Sequence, residues 1–171
     1  PTLQQRFLGI TYDNIRIFNI YAPMGEALES DKFTYKLDWY QTLHQHIVQA
    51  IKRNPLLIVL GDFNVAPHDQ DTYNAKLWSN RVLVSPQERL AWQKCLQPGL
   101  IDSYTLFPKH QERFSWWDYR DASFPRNHGL RIDHILIASK LKQHCLHSDI
   151  DNTPRKQNQP SDHAPVYADF Q

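Results

Sequence analysis

Leu56-Leu57-Ile58-Val59-Leu60-Gly61-Asp62-Phe63-Asn64 is the stretch from which the architecture can be read. Five consecutive apolar residues between Pro55 and Gly61 suit a strand buried on both faces, and such strands belong to sheets covered by helices. Upstream, Phe33, Leu37, Tyr40, Leu43, Ile47 and Ile51 recur at three- and four-residue spacing. That spacing predicts an amphipathic helix, capped by Ser30 or Asp31 and stopped at Asn54-Pro55. Further upstream, Phe7 to Tyr12 and Ile15 to Tyr21 flank Asp13-Asn14 as a hairpin, and Ala22 to Ser30, with Pro23 and Gly25, reads as a loop. Strand, helix and strand in alternation predict an α/β layered domain. Downstream, Ser85-Pro86-Gln87-Glu88 opens a second helix as a capping box with proline at its first position, and Pro98-Gly99 ends it. Strand-like pieces follow at Phe114 to Tyr119, Leu130 to Ala138, Cys145 to Ile150 and Ala164 to Phe170, with Asp151 to Ser161 a polar, mobile loop.

Composition narrows the function classes. A chain of 171 residues suits one domain, able to bury about 70% of its unfolded surface. Eight Phe, eight Tyr and five Trp supply a core and exclude intrinsic disorder. No apolar run approaches the ~20 residues that span a bilayer, so no membrane segment is expected. Nineteen basic and 18 acidic residues leave a net charge of +1, so any basic surface must be local. Cys95 and Cys145 show no metal-like spacing, and two reduced thiols suit a cytoplasmic setting. No signal or transit segment is recognisable. The chain begins Pro1-Thr2-Leu3 and its only methionine is Met24, which reads as part of a longer protein.

Four segments carry residue types suited to chemistry. Asp62 and Asn64, two apart beyond the buried strand, offer carboxylate and amide oxygens to a hard divalent cation or a phosphate; an ordinary strand-ending turn uses the same residues. Ser161-Asp162-His163-Ala164-Pro165 places an acid beside a histidine, as many solvated loops also do. Asp133 interrupts the apolar run Leu130 to Ile137 and needs a cation, a histidine or several donors if buried, a polar strand face being the alternative. Phe114-Ser115-Trp116-Trp117-Asp118-Tyr119-Arg120 is rich in groups that stack on sugar or base, or that fill a core.

Taken in order, Gly61-Asp62-Phe63-Asn64, Ser115-Trp116-Trp117-Asp118-Tyr119-Arg120, Gly129-Leu130-Arg131-Ile132-Asp133 and Pro160-Ser161-Asp162-His163-Ala164-Pro165-Val166 resemble the exonuclease III family of abasic-site endonucleases. The resemblance runs from about Ile17 to Phe170 and includes Ile20-Tyr21-Ala22-Pro23 with Gly25. The last motif also occurs across the wider deoxyribonuclease I-like superfamily, sphingomyelinases and inositol phosphatases included; the Trp116 segment beside Gly129 to Asp133 points to the DNA-repair branch. The resemblance implies part of a four-layer α/β sandwich of two packed mixed sheets, forming a single incomplete domain over 1–171. It implies Asp62 as the group that protonates the leaving oxygen or positions the nucleophile, Asn64 and Tyr21 as phosphate ligands, and Asp133 as the partner that sets the tautomer of His163. His163 contacts phosphate or activates water. Asp62, Asn64, Asp162 and His163 are the implied donors for Mg2+, with Mn2+ an alternative. Trp116, Leu130 and Ile132 line a pocket for a baseless sugar, small enough to exclude intact nucleotides, and Arg120 adds a substrate contact. Double-stranded DNA with abasic sites or 3′ ends is the implied partner.

The chain also departs from that pattern. The family uses an early asparagine and a metal-binding glutamate after its own buried strand. Here Phe18-Asn19-Ile20 continues into the later tyrosine motif, and the Gln-Glu pairs, Gln87-Glu88 and Gln111-Glu112, follow no buried strand. The expectations are therefore weak metal binding, negligible activity of this chain alone, and association with a missing N-terminal portion or with itself through uncovered sheet edges. The rival readings are another phosphodiesterase of the superfamily, acting on phospholipid or inositol phosphate, and a catalytically silent DNA-binding piece.

Overall fold

Asp13 and Asn14 both adopt left-handed backbone, with φ of 43° and 65°. This is the conformation that a two-residue turn needs to match the twist of its flanking strands. It joins β1 (Phe7–Tyr12) to β2 (Ile15–Tyr21) as the antiparallel hairpin read from the sequence. A computed structural model describes residues 5–108 and 114–171; Gln111-Glu112 lies outside the described residues.

Helix α1 (Asp31–Arg53) begins where Ser30 Oγ accepts the Phe33 amide at 3.1 Å and ends at Asn54, before proline. It returns the chain to β3 (Leu57–Asp62), which lies parallel to β2. A single-turn helix α2 (Ala75–Trp78) precedes α3 (Pro86–Leu96), whose capping box forms as expected between Ser85 and Glu88. Then follow β4 (Leu100–Asp102), β5 (Asp133–Ala138), β6 (Cys145–Ile150) and β7 (Val166–Phe170). The first five strands form one mixed sheet in the order β1-β2-β3-β5-β4; β6 and β7 form a second, purely antiparallel sheet.

Alternate residues of the central strands feed two different cores. Phe18, Ile20, Leu57, Val59 and Leu136 meet Tyr40, Leu43 and Ile47 of α1 and Trp92 and Cys95 of α3. Ile58, Ile135 and Ile137 face the other way, toward Cys145 and the partly buried Val166 and Ala168 of the second sheet. Among the described residues the stack is thus helices, mixed sheet, antiparallel ribbon. No helix of the described residues is long and apolar enough to cross a membrane. Gly61 has a φ of +129°, and a Cβ there would lie 2.0 Å from the Ile20 carbonyl oxygen, so only glycine allows β2 and β3 to run this close.

Three expectations are corrected. Phe114 to Tyr119 is not a strand. It makes isolated bridges only, Trp116 with Leu130 and with His163, because Asp118 accepts the Arg120 amide and Asp121 and Ala122 turn into left-handed backbone. The strand expected from Leu130 starts at Asp133, since the Arg131 amide donates to the Asp71 carbonyl and the Ile132 amide to Ser115 Oγ. Asp151 to Ser161 is not wholly a solvated loop, for Asn152 and Arg155 are buried. The Arg155 guanidinium stands over the rings of Phe124 at 4.7 Å, Trp117 at 5.7 Å and Tyr119 at 5.8 Å.

Candidate active site

The candidate residues gather at one end of the mixed sheet. Tyr21 ends β2, Asp62 ends β3 beside it in parallel register, and Asp133 opens β5 directly across from Asp62. Directly opposed residues project from the same face, so the two carboxylates are neighbours. Beyond β3, Asn64 takes left-handed backbone, φ 49°, which asparagine tolerates better than most residues. That turn folds it back onto the aspartate: the Asn64 amide donates to Asp62 Oδ1 at 2.8 Å, and Asn64 Nδ2 donates to Asp62 Oδ2 at 3.0 Å and to the Ala22 carbonyl at 2.9 Å.

Residues of the last loop complete the cluster. The Ala164 amide donates to the Ser115 carbonyl and the Trp117 amide to the Asp162 carbonyl, which staples the Trp116 segment to the Asp162-His163 loop. His163 Nδ1 donates to Asp133 Oδ2 at 2.9 Å, an arrangement that fixes the tautomer and leaves Nε2 for chemistry. Burial alone would lower the His163 pKa; the hydrogen bond and charge of Asp133 outweigh it and raise it. Asp133 is held in turn by its amide, which donates to Ser115 Oγ at 3.0 Å. Trp116 Nε1 donates to Asp162 Oδ2 at 3.0 Å.

Asp62 is the most perturbed acid here. Burial, and next the Asp133 carboxylate, push its pKa up to about 7, while the Asn64 amide, His163 and Lys36 pull it back. An acid whose folded pKa is raised contributes stability that is present below its unfolded value and lost as pH rises through the folded one. Asp62→Asn should therefore raise the melting temperature relative to the parent at about pH 8 and leave it nearly unchanged at about pH 4. Parallel thermal melts check this, and equal shifts at both pH values would contradict it.

The remaining candidates are placed differently. Tyr21 is exposed, with the Arg6 guanidinium 4.7 Å from its ring centre and Arg6 Nη1 donating to its carbonyl; no sequence motif points to Arg6. Leu130 and Ile132 do not line a pocket. They are 0% and 2% exposed, buried with Ala66, Leu83 and Val84 beneath Trp116. The open space next to Trp116 is a cleft of about 840 Å³ shared with Trp78, Arg81, Asp118, Arg120 and His128. Arg120 stands on its rim in a fork to Asp118.

Sequence reading also missed a buried network behind the site. Arg131, between Leu130 and Ile132, donates to Asp71 Oδ1 at 2.7 Å and Asp102 Oδ2 at 2.6 Å. It also donates to His134 Nδ1 at 2.9 Å, so His134 presents Nε2–H to the Val65 carbonyl at 3.0 Å, one residue beyond Asn64. An arginine flanked by apolar residues was the available signal; its partners, distant in sequence, were not.

This arrangement can be set beside known proteins. The sequence matches the Endonuclease/Exonuclease/phosphatase family over residues 4–163. The chain belongs to that family. Exodeoxyribonuclease III of Haemophilus influenzae is 36% identical over 164 residues, covering 91% of this chain and 61% of the relative; the exodeoxyribonuclease of Bacillus subtilis is 30% identical, with coverages of 94% and 62%. Among solved structures, a Neisseria 3′ phosphatase bound to a product DNA hairpin has a TM-score of 0.96 at 38% identity, over 99% of this chain and 66% of that one. An Archaeoglobus fulgidus AP endonuclease gives 0.89 at 31%, over 96% and 65%. This family member thus spans a little under two thirds of the length of those relatives.

The family is one of metal-dependent nucleases, which makes the donor set worth testing. Both Asp62 oxygens accept from Asn64, and one Asp162 oxygen accepts from Trp116. Among the described residues no group of three His, Cys, Asp or Glu side chains is placed to hold a metal. By themselves Asp62, Asn64, Asp162 and His163 do not form a metal cage.

Proposed function

We propose that this chain carries the phosphate-handling half of a DNA phosphodiester hydrolase that cuts 5′ to abasic sites and trims 3′ ends in base-excision repair. The observation that carries the reading is the His163–Asp133 pair set against Asp62 and Asn64, with Trp116 tied to the same loop through Asp162. The names of the relatives, exodeoxyribonucleases and AP endonucleases, support DNA over a phospholipid or inositol phosphate. Magnesium, with manganese the alternative, is the ion of this reading, and it supplies charge neutralisation at the phosphoryl group. The four donors offer it only part of a shell.

What the chain's own residues do follows from their geometry. Asn64 and Tyr21 orient the phosphate, and Asp62, near neutrality in pKa, can give or take a proton at the leaving or attacking oxygen. His163, steadied by Asp133, places a positive or proton-accepting nitrogen on the phosphate's other side. Trp116 and the cleft beside it receive the displaced sugar or nucleotide, with Arg120 on the rim. The buried thiols Cys95 and Cys145 suit the reducing cytoplasm.

Binding tests this reading without requiring turnover. The chain should bind a duplex with one abasic site more tightly than an intact duplex, and Trp116→Ala should remove most of that preference. Binding to intact duplex, which rests on phosphate contacts, should change little. Fluorescence anisotropy with both duplexes decides it; no preference in the parent chain, or equal loss for both duplexes in the variant, would refute the substrate assignment.

The partner side of the reading rests on β1. It is an edge strand, and Leu8, Ile10 and Tyr12 are exposed on it at 60%, 49% and 74%. Exposed apolar edges recruit other strands. The chain should therefore sediment as a concentration-dependent mixture, and Ile10→Lys should shift it toward monomer. A monomer at all concentrations would overturn this.

A further inference from the structure

Lys36 is fully buried, yet none of its three ammonium protons lacks a partner. Nζ donates to the Met24 carbonyl at 3.0 Å, to the Asn64 carbonyl at 2.6 Å, and to Glu88 Oε1 in a short ion pair. Glu88 is equally buried and equally satisfied. Its Oε1 also accepts the Leu83 amide at 2.9 Å, and its Oε2 accepts the amide and hydroxyl of Ser85. The two charges therefore bind backbone from three loops. One follows Tyr21, one carries Asn64, and the third holds Leu83 beneath Trp116.

Two of the tethered residues are in backbone that side chains avoid. Asn64 has a φ of 49° and Leu83 a φ of 78°; for leucine that conformation is an outlier that persists only where the surroundings enforce it. The two loops are also joined to each other, the Ala66 amide donating to the Leu83 carbonyl at 2.7 Å. A buried ion pair is a poor source of stability compared with apolar residues of the same volume, so stability alone does not account for it.

We propose that the Lys36–Glu88 pair is a positioning device, which holds the Asn64 turn and the Leu83 support of Trp116 in the conformations the site uses. It rests on the reading of Asn64 and Trp116 as substrate-facing, but its own test needs no substrate.

The test is hydrogen exchange by mass spectrometry on the whole chain, with a variant that removes both charges, Lys36→Met with Glu88→Leu. Removing one partner alone strands a buried charge; removing both strands only neutral backbone and hydroxyl groups, a smaller cost than an unpaired charge. The double variant should keep its fold, with β6–β7 protection unchanged, while peptides covering residues 62–66 and 82–85 exchange roughly tenfold faster or more. The Trp116 indole N–H resonance, read by NMR, should shift with them. Native exchange in both loops of the double variant, or uniform loss across the chain, would overturn the proposal. Failure of the parent chain to discriminate abasic DNA would instead overturn the functional reading and leave this one standing.

Discussion

Incubated with magnesium and a duplex carrying one abasic site, the 171-residue chain should leave the duplex essentially uncut. The proposed chemistry neutralises one phosphoryl group from two sides. The histidine side is assembled, with His163 Nδ1 at 2.9 Å from Asp133. Among the described residues the metal side is not, because Asp62, Asn64, Asp162 and His163 make up an incomplete shell and all four already make hydrogen bonds within the protein. Loss of a single preorganised charge-stabilising donor typically slows a reaction by about 10²–10³, and a metal ion contributes more than one such donor. Nicking should thus fall below an enzymatic rate by at least about three orders of magnitude. Calorimetry should give magnesium affinity on the order of millimolar. Manganese should bind more tightly, as His163 adds a nitrogen. Cutting at enzymatic rates, or micromolar magnesium binding, would show that the four donors suffice.

The largest effect on stability is expected at Arg131. It is 2% exposed, between Asp71 and Asp102, which are themselves buried. Burial alone would raise the Asp102 pKa; the Arg131 guanidinium outweighs it and holds that carboxyl well below the usual range. Arg131→Met strands both carboxylates. Breaking a buried pair in this way costs about 3–5 kcal/mol, and in a chain of this size that lowers the melting temperature by roughly 10 °C. The pH dependence has a definite sign. A carboxylate with a depressed folded pKa stabilises above its unfolded value, near 3.9, and that stabilisation is lost as pH falls through the folded one. The gap between parent and variant should accordingly be full at neutral pH and narrow in acid. Thermal melts over that range check it, and a gap of only a degree or two at neutral pH would show the network to be dispensable.

Local signals carried the parts of the fold that the sequence made legible. Ser30 and Asn54 bracket α1, Ser85 and Glu88 open α3, and Asp13-Asn14 turns the first hairpin, each as read from its own neighbours. What escaped depends on residues far apart in the chain. The Trp116 segment has strand-forming residues, but its backbone partners are Leu130 and Asp162 to Ala164, which claim its hydrogen bonds one at a time. Glu88 was legible as a cap, whereas its pairing with Lys36, in another helix, was not. Of the candidate site, Asp62, Asn64, Asp133, Asp162, His163 and Trp116 do meet in space. Leu130 and Ile132 were misplaced for a simple reason: apolar residues beside a binding loop serve equally well as its wall or as its foundation, and spacing does not tell these apart.

The position of β3 in the middle of its sheet has a consequence for how the chain is made. Its two neighbours come from opposite ends of the polypeptide: Ile58 pairs with Ile17 on one side and with Ile137 on the other. The β2–α1–β3 unit closes over a short separation and can form early, whereas β5 must be found across a much longer loop. Docking of β5 also delivers Asp133, and through it the register for His163, to the side of Asp62. A nascent chain halted before residue 133 therefore holds Tyr21, Asp62 and Asn64 on a half-built sheet with one side of β3 unpaired. In such a chain, chemical competence arrives last, together with the protection of its central strand from pairing with the wrong neighbour.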